Sequence, residues 1–323
     1  MIAAIVGLFL VTGGFLMGVW AVFYGILVLL DMASAMQIAF GITVMTLLTI
    51  GYLEYTHLET IERLADAQPV DRETAPELYK TATRVAAQLD IPVPTIAISE
   101  RTAPEALAVG FRPENIHLVL SLGAINTLSK QEEMEAVIAH ELAHVKNRDA
   151  MVITVVSLPI VLADGLRSRI LTDGLNTRFG QLKDMGWGAI ITIPLAFLSN
   201  IVWTVGRAIM ARFSRTRELA ADRSAVEVTG SPIALASALK RLDQEISETP
   251  ERDLREVSGV SSLSILPLEP RELEKVMLGP EGDIEPSYWW LRKRLHRFRR
   301  WLFTTHPPTE ERLEMLAQIE RNQ

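Results

Sequence analysis

From Ile2 to Leu30 the chain carries no charged side chain, and after Asp31 the run from Met32 to Leu53 is again uncharged. A bilayer core takes about 20 apolar residues of helix, so each run is long enough to span it. A cleaved signal peptide is the competing reading. It fits poorly, because no basic segment precedes the apolar run, the run is too long, and a second follows at once. The pattern predicts a helical hairpin anchored in a membrane over residues 1–54. Mean hydropathy is +0.21 with 49% apolar residues, although 22% of the chain is charged.

Two further apolar stretches follow. Ala150 to Ala163 is uncharged but short and contains Pro159, a length that also suits a buried core helix or a partial insertion. Met185 to Gly206 is uncharged with Trp187 and Trp203 near its ends, a better spanning candidate. Together they predict a second apolar hairpin over 150–206, spanning or partly inserted. Basic residues set the expected orientation. The link between the first two runs holds no Lys or Arg. Arg63, Arg72, Lys80 and Arg84 follow the second run, and Arg207, Arg212, Arg215 and Arg217 follow the fourth. Both placements put the remaining segments in the cytoplasm, on a multi-pass protein of the cell membrane. Arg167, Arg169, Arg178 and Lys183 object, since they would lie outside if stretches three and four both spanned, which favours partial insertion.

Net charge is −7, so bulk electrostatics argue against nucleic acid as a partner. There is no cysteine, which excludes disulfides and thiolate metal ligands. Any metal must be held by nitrogen and oxygen, and imidazole with carboxylate suits zinc.

Such a set is present. His140-Glu141-Leu142-Ala143-His144 uses two of the chain's six histidines inside a helical pattern. Imidazoles four residues apart on a helix point the same way and can share one tetrahedral ion. Glu141 lands beside that ion, where it can take a proton from a water the metal activates. The chain reads as a metallopeptidase. Ser129-Lys130-Gln131-Glu132 predicts a capping box that starts this helix. Met134, Val137 and Ile138 give it a packed side.

Upstream, Thr74 to Leu89 has a helical apolar face. Ile91 to Ile98 is β-rich, with prolines that confine it to an edge or an approach. Short strands are expected at Ala106 to Phe111 and Ile116 to Ser121, with a turn at Arg112-Pro113-Glu114-Asn115. Downstream, Glu218 and Asp222 share a helix face. They are either a solvated acidic pair beside Arg215 and Arg217, or a third metal ligand with a carboxylate that orients a ligand imidazole. Ser231-Pro232 starts the next helix, with Leu235, Ala238, Leu239, Leu242 and Ile246 as its core face.

The ordered set of motifs resembles the HtpX-type membrane metallopeptidases, relatives of the CAAX prenyl endopeptidase. The matching residues are Ala106-Leu107-Ala108-Val109-Gly110, Leu122-Gly123, and Glu135 through His144 with Asn147-Arg148-Asp149. Ser214-Arg215 with Glu218 and Asp222 follow, then Thr305-His306-Pro307-Pro308 with Arg312. The resemblance implies one zinc ion held by His140, His144 and Glu218, and Glu141 as base. It also implies a cytoplasmic domain that degrades damaged or misassembled membrane proteins in stress-related quality control. His306, alone, reads as a surface or capping residue. The resemblance makes it a donor to the oxyanion or a group that reaches the zinc at rest. Glu105-Ala106-Leu107 departs from the family's Asn-Ala-Phe, which leaves substrate preference open.

Residues 247–303 form an insertion longer than the family core needs. Its end, Tyr288 to Phe303, interleaves aromatics with six basic residues. It reads as an interfacial anchor on anionic lipid or as a basic connecting helix.

The expected fold is mainly α with a small β-sheet: a multi-pass helical membrane protein with a zincin-type, gluzincin-like cytoplasmic catalytic domain. That domain is assembled from residues 55–149, 207–246 and 304–323. An extended polypeptide substrate is expected to add to the strand at Ala106–Gly110, where backbone pairing asks little of its sequence. The rivals are a zinc-containing membrane scaffold or chaperone, against which Glu141 counts, and a prenyl-protein peptidase, a branch with more spans than this chain supplies.

Overall fold

The computed structural model describes residues 2–58, 67–109, 116–176, 188–248 and 288–323. The chain divides into two compact units, one of residues 1–61 and 153–213, the other of 62–152 and 214–323.

The first unit is helical. α1 (Ile2–Leu29) and α2 (Ala35–Leu58) form a hairpin. Its other members are the central and C-terminal parts of α6 (Asp149–Asn176) and the N-terminal half of α7 (Gly188–Thr229). Phe15, Val19, Ile50, Ala163, Leu166, Leu195 and Val202 make its core. Close approach depends on glycine. A Cβ at Gly18 would lie 2.6 Å from Leu198, and one at Gly206 2.6 Å from Ile160. Outward-facing Phe9, Leu10, Met17, Phe40, Met45 and Phe197 are exposed, the inverse of a water-soluble helix bundle. Among the described residues Ala4–Leu29 and Ile191–Thr229 are long and apolar enough to cross a membrane, and Ala35–Ile50 is a shorter apolar helix. The stretch Ala150 to Ala163 is no separate short helix. It is the first half of α6, which runs through Pro159 and on past Asp164 and Arg167. The link 177–187 lies outside the described residues.

The second unit holds a four-stranded sheet of order β1-β2-β4-β3, built from β1 (Ala67–Pro69), β2 (Thr95–Ser99), β3 (Ala106–Val109) and β4 (His117–Ser121). β2 and β4 are parallel, and the outer pairs are antiparallel. The prolines before β2 mark its approach; the strand itself is interior, flanked by β1 and β4. Gly110 and the turn at Arg112–Asn115 lie outside the described residues. Leu118 to Ser121 are all buried, as expected of a central strand covered on both faces.

Helices α3 (Pro76–Leu89), α4 (Leu122–Thr127), α5 (Gln131–Lys146), α8 (Pro232–Glu248), α9 (Trp289–Phe303) and α10 (Thr309–Arg321) complete the unit, with the end segments of α6 and α7. Ala82, Val85, Leu89, Ile96, Leu118, Val137, Ile138, Leu142, Leu235 and Leu239 share one core. Ser231 caps α8 as expected, accepting from Ala234 N–H at 3.2 Å, and its predicted core face is buried. The capping box at Ser129–Glu132 does not form. Lys130 is the residue before the first turn, and no side chain caps it. Glu133 fixes that turn instead: its buried carboxylate accepts the Ser237 hydroxyl at 2.7 Å and lies 3.3 Å from Arg241 Nε. These are tertiary contacts to α8. Gly123 opens α4 where Thr102 O would be 1.9 Å from any Cβ, which accounts for glycine in Leu122-Gly123.

Candidate metal centre

All groups of the site belong to the second unit. The helical spacing of α5 brings His140 and His144 to one side, their Nε2 atoms 3.3 Å apart. The C-terminal part of α7 supplies Glu218. Its Oε2 is 3.5 Å from His140 Nε2 and its Oε1 3.5 Å from His144 Nε2. One donor atom from each residue lies within 4.8 Å of the others. His140 and Glu218 are buried and His144 nearly so. The solvated reading of Glu218 is therefore corrected: it is 4% exposed and faces both imidazoles.

The set passes a test for a cation. Glu218 Oε2 is buried with no hydrogen-bond partner among the described residues, beside two nitrogens that face each other. Buried carboxylate oxygens rarely go unpaired, and a metal satisfies all three atoms at once. Two nitrogens and one oxygen suit zinc.

Each imidazole is held from behind by an aspartate, and each aspartate by an arginine. His140 Nδ1 lies 2.9 Å from Asp222 Oδ1. Arg312 from α10 grips Asp222 with two donors, Nε at 2.8 Å to Oδ2 and Nη2 to Oδ1. His144 Nδ1 lies 2.7 Å from Asp149 Oδ2, which Arg217 Nε approaches to 3.0 Å. Asp149 reaches back because the two-residue link from α5 to α6 turns sharply, with Arg148 at φ +53°, left-handed backbone that few non-glycine residues adopt. Sequence reasoning named Asp222 for this role but not Asp149, Arg217 or Arg312. The available signal was the Asn147-Arg148-Asp149 element immediately after the metal helix.

Glu141 is buried beside the cluster. One carboxylate oxygen accepts the Ala108 N–H of β3 at 3.1 Å, and the other has no partner among the described residues. β3 is one of the two edge strands of the sheet, and Ala108 directs this N–H away from β4. Ala106 and Leu107 are buried and Ala108 partly so. His306, in the segment before α10, is 3% exposed, with Nδ1 3.5 Å from Glu218 Oε2 and neither ring nitrogen hydrogen-bonded among the described residues. It is no surface residue.

Charge follows from these contacts. Burial pushes Glu218 up, but the imidazoles of His140 and His306 outweigh it and hold the carboxyl well below the ordinary range. Burial also opposes ionisation of Asp222, yet Arg312 and His140 bring it to about 2. For His140 burial lowers proton affinity, and contact with Asp222 and Glu218 overcomes this to raise it to about 9. Burial lowers His144. Burial, reinforced by Glu218, pushes Glu141 up to about 8 against the pull of His140 and Arg312. The protein groups alone thus give a fixed anion, one imidazole of raised and one of lowered proton affinity, and a carboxyl with unusually high proton affinity.

Two helices presenting two histidines and a glutamate around one point, with a buried carboxylate beside them, define a metallopeptidase-type centre. Comparison with known proteins agrees. The model of peptidase family M48 matches residues 72–320, and the chain belongs to that family. It is 34% identical to "Protease HtpX homolog 1" of Streptomyces coelicolor over 77% of this chain and 73% of that protein. It is 32% identical to "Protease HtpX homolog" of Moorella thermoacetica over 87% of this chain and 84% of that one. The crystal structure of S. mikatae Ste24p shares the fold, with a TM-score of 0.51 at 18% identity over 84% of this chain; the chain spans 58% of the Ste24p chain. Family, apolar helices and donor cluster together make this protein a membrane metalloprotease.

Proposed function

We propose that this protein is a zinc-dependent endopeptidase with His140, His144 and Glu218 as ligands and Glu141 as general base, acting on membrane proteins that are damaged or misassembled. The observation that carries the reading is Glu141. One oxygen is anchored to β3, and the other is buried with no partner among the described residues, in a carboxylate close enough to His140 and Glu218 to feel their charge. A purely structural metal site has no use for such a group.

A bound zinc ion would polarise the scissile carbonyl and make water nucleophilic near neutral pH. Glu141 would accept the proton of the attacking water and later pass it to the departing amine. Asp222 and Asp149 fix the ring orientations of His140 and His144, so that each presents Nε2 inward. Ala108 N–H holds the Glu141 carboxylate in register with β3. An extended substrate pairing along Ala106–Gly110 would therefore bring its backbone beside the base. His306, 3.5 Å from Glu218 Oε2, would donate a ring N–H to the oxyanion. We place the catalytic unit in the cytoplasm and the chain in the cell membrane as a multi-pass protein, on the distribution of Lys and Arg.

The test separates ligand from base. Purified Glu141→Gln is expected to retain zinc and to cleave casein or a membrane-protein substrate roughly 10²–10⁴-fold more slowly. Glu218→Ala is expected to lose zinc and activity together, and His306→Ala to keep zinc while turnover falls about a hundred- to a thousandfold. Near-native cleavage by Glu141→Gln, or full zinc occupancy in Glu218→Ala, would overturn the assignment.

A further inference from the structure

Helix α9 holds its apolar face away from the protein. At 100° per residue, Trp290, Leu291, Leu295, Phe298, Trp301 and Leu302 fall in one sector roughly 140° wide. The opposite side carries Trp289 and His296. Trp289 is 4% exposed and His296 Nε2 is buried, so this is the side that packs inward. The apolar sector is turned out instead, with Trp290 65%, Phe298 55% and Leu295 51% exposed. An ordinary surface helix has the reverse arrangement, apolar face in and charges out.

The charge on this helix has one sign. Arg292, Lys293, Arg294, Arg297, Arg299 and Arg300 are all exposed, and no acidic residue occurs between Trp289 and Phe303. In a chain whose net charge is −7 this is a local concentration of cations. Arg294 and Arg297 border or enter the apolar sector, where a long aliphatic stem can lie along apolar surface while the guanidinium stays at its rim. Arg292 and Lys293 stack on Trp289 at 5.5 and 5.6 Å. Arg215 Nη2 donates to Trp301 O at 2.8 Å, tying the end of α9 to the C-terminal part of α7.

We propose that α9 is an interfacial helix that lies in the headgroup region of an anionic bilayer, the aromatic sector inserted and the guanidinium groups on lipid phosphates. Exposed aromatics need an apolar medium, and six exposed cations on a helix that carries no acidic residue favour a negative surface. A soluble acidic protein would satisfy the charge but leaves the mixed Trp, Phe and Leu sector without a shaped counterpart, whereas acyl chains need none. The role is separate from peptide hydrolysis and independent of the reading given for the metal centre.

The chain has no cysteine, so one introduced thiol can be labelled uniquely in the full-length protein. Phe298→Cys and Arg299→Cys, each carrying an environment-sensitive fluorophore, are reconstituted in phosphatidylcholine–phosphatidylglycerol vesicles with acyl-brominated lipid in both leaflets. The label at 298 is expected to be quenched several-fold more than that at 299. Replacing phosphatidylglycerol with phosphatidylcholine is expected to weaken the quenching at 298. Zinc content and casein cleavage of each labelled protein establish that it is folded, and Leu295→Cys replaces Phe298→Cys if that variant fails. Equal, weak quenching at 298 and 299 would overturn the proposal. So would quenching at 298 that ignores the anionic lipid, or a 298 label shielded from both lipid and aqueous iodide, which would mean a protein partner.

Discussion

His140 and His144 are neighbours on one helix and are supported by the same three-part chain of imidazole, aspartate and arginine, yet the two supports differ in solvent. Around His140 the side chains of the imidazole, Asp222 and Arg312 are all 0% exposed. Around His144 the imidazole is 14% exposed, and Asp149 and Arg217 are each 9% exposed. Water can still screen the second set, and it cannot reach the first. The same chemical motif should therefore carry different energies. The buried set is a closed electrostatic unit in which no member can be removed alone, because the charge left behind has no solvent to turn to. The partly exposed set can relax. The two sides also draw on different parts of the chain: Arg312 comes from the last helix, Arg217 from the helix that supplies Glu218.

The largest effect expected is from Arg312→Leu, which strands the Asp222 carboxylate and should cost about 3–5 kcal/mol of stability, with zinc lost as a consequence. Arg217→Leu should cost about 1–2 kcal/mol. Denaturant titration and zinc analysis of both variants measure the difference, and equal losses would break the comparison. Next come the aspartates themselves. Asp222→Ala is expected to weaken zinc about 100-fold and Asp149→Ala nearer 10-fold, read by competition against a chelator. An inverted order would mean that solvent exposure does not control the support.

A pH experiment sharpens the same point. Asp222 titrates at about 2 in the fold against an ordinary 3.8, so its contribution is present above the ordinary value and is lost as pH falls through 4 toward 2. The stability gap between native protein and Asp222→Asn should be on the order of 2 kcal/mol near pH 5 and should close on acidification. A gap that stays constant to pH 2 would refute the assigned cause. The smallest effect sets the scale's far end. Lys80 and Glu77 form an ion pair at 3.7 Å with both side chains about two-thirds or more exposed, and Lys80→Ala should change stability by less than about 0.5 kcal/mol.

The pattern of His140, Glu141 and His144 was legible because helical periodicity alone puts both imidazoles on one side. Uncharged length likewise gave α1, and spacing gave the core face of α8. Glu218 needed more: spacing left it between a solvated pair and a ligand, and only the packing of α7 against α5 sets its carboxylate 3.5 Å from both rings. Local rules also misplaced the start of α5: its N-cap is Lys130, without the side-chain cap that Ser129 was expected to supply.

By itself, then, the sequence determined what depends on near neighbours: apolar helices, the pair of histidines on one helix side, and the glutamate beside them. Only tertiary structure decided what depends on residues far apart in the chain. It joined Arg312 to Asp222 across 90 positions, Ala108 to Glu141 across 33, and turned the aromatic face of α9 outward. Such pairings are fixed by how whole elements pack, because a buried charge or an exposed aromatic is defined by its surroundings and not by its own place in the chain.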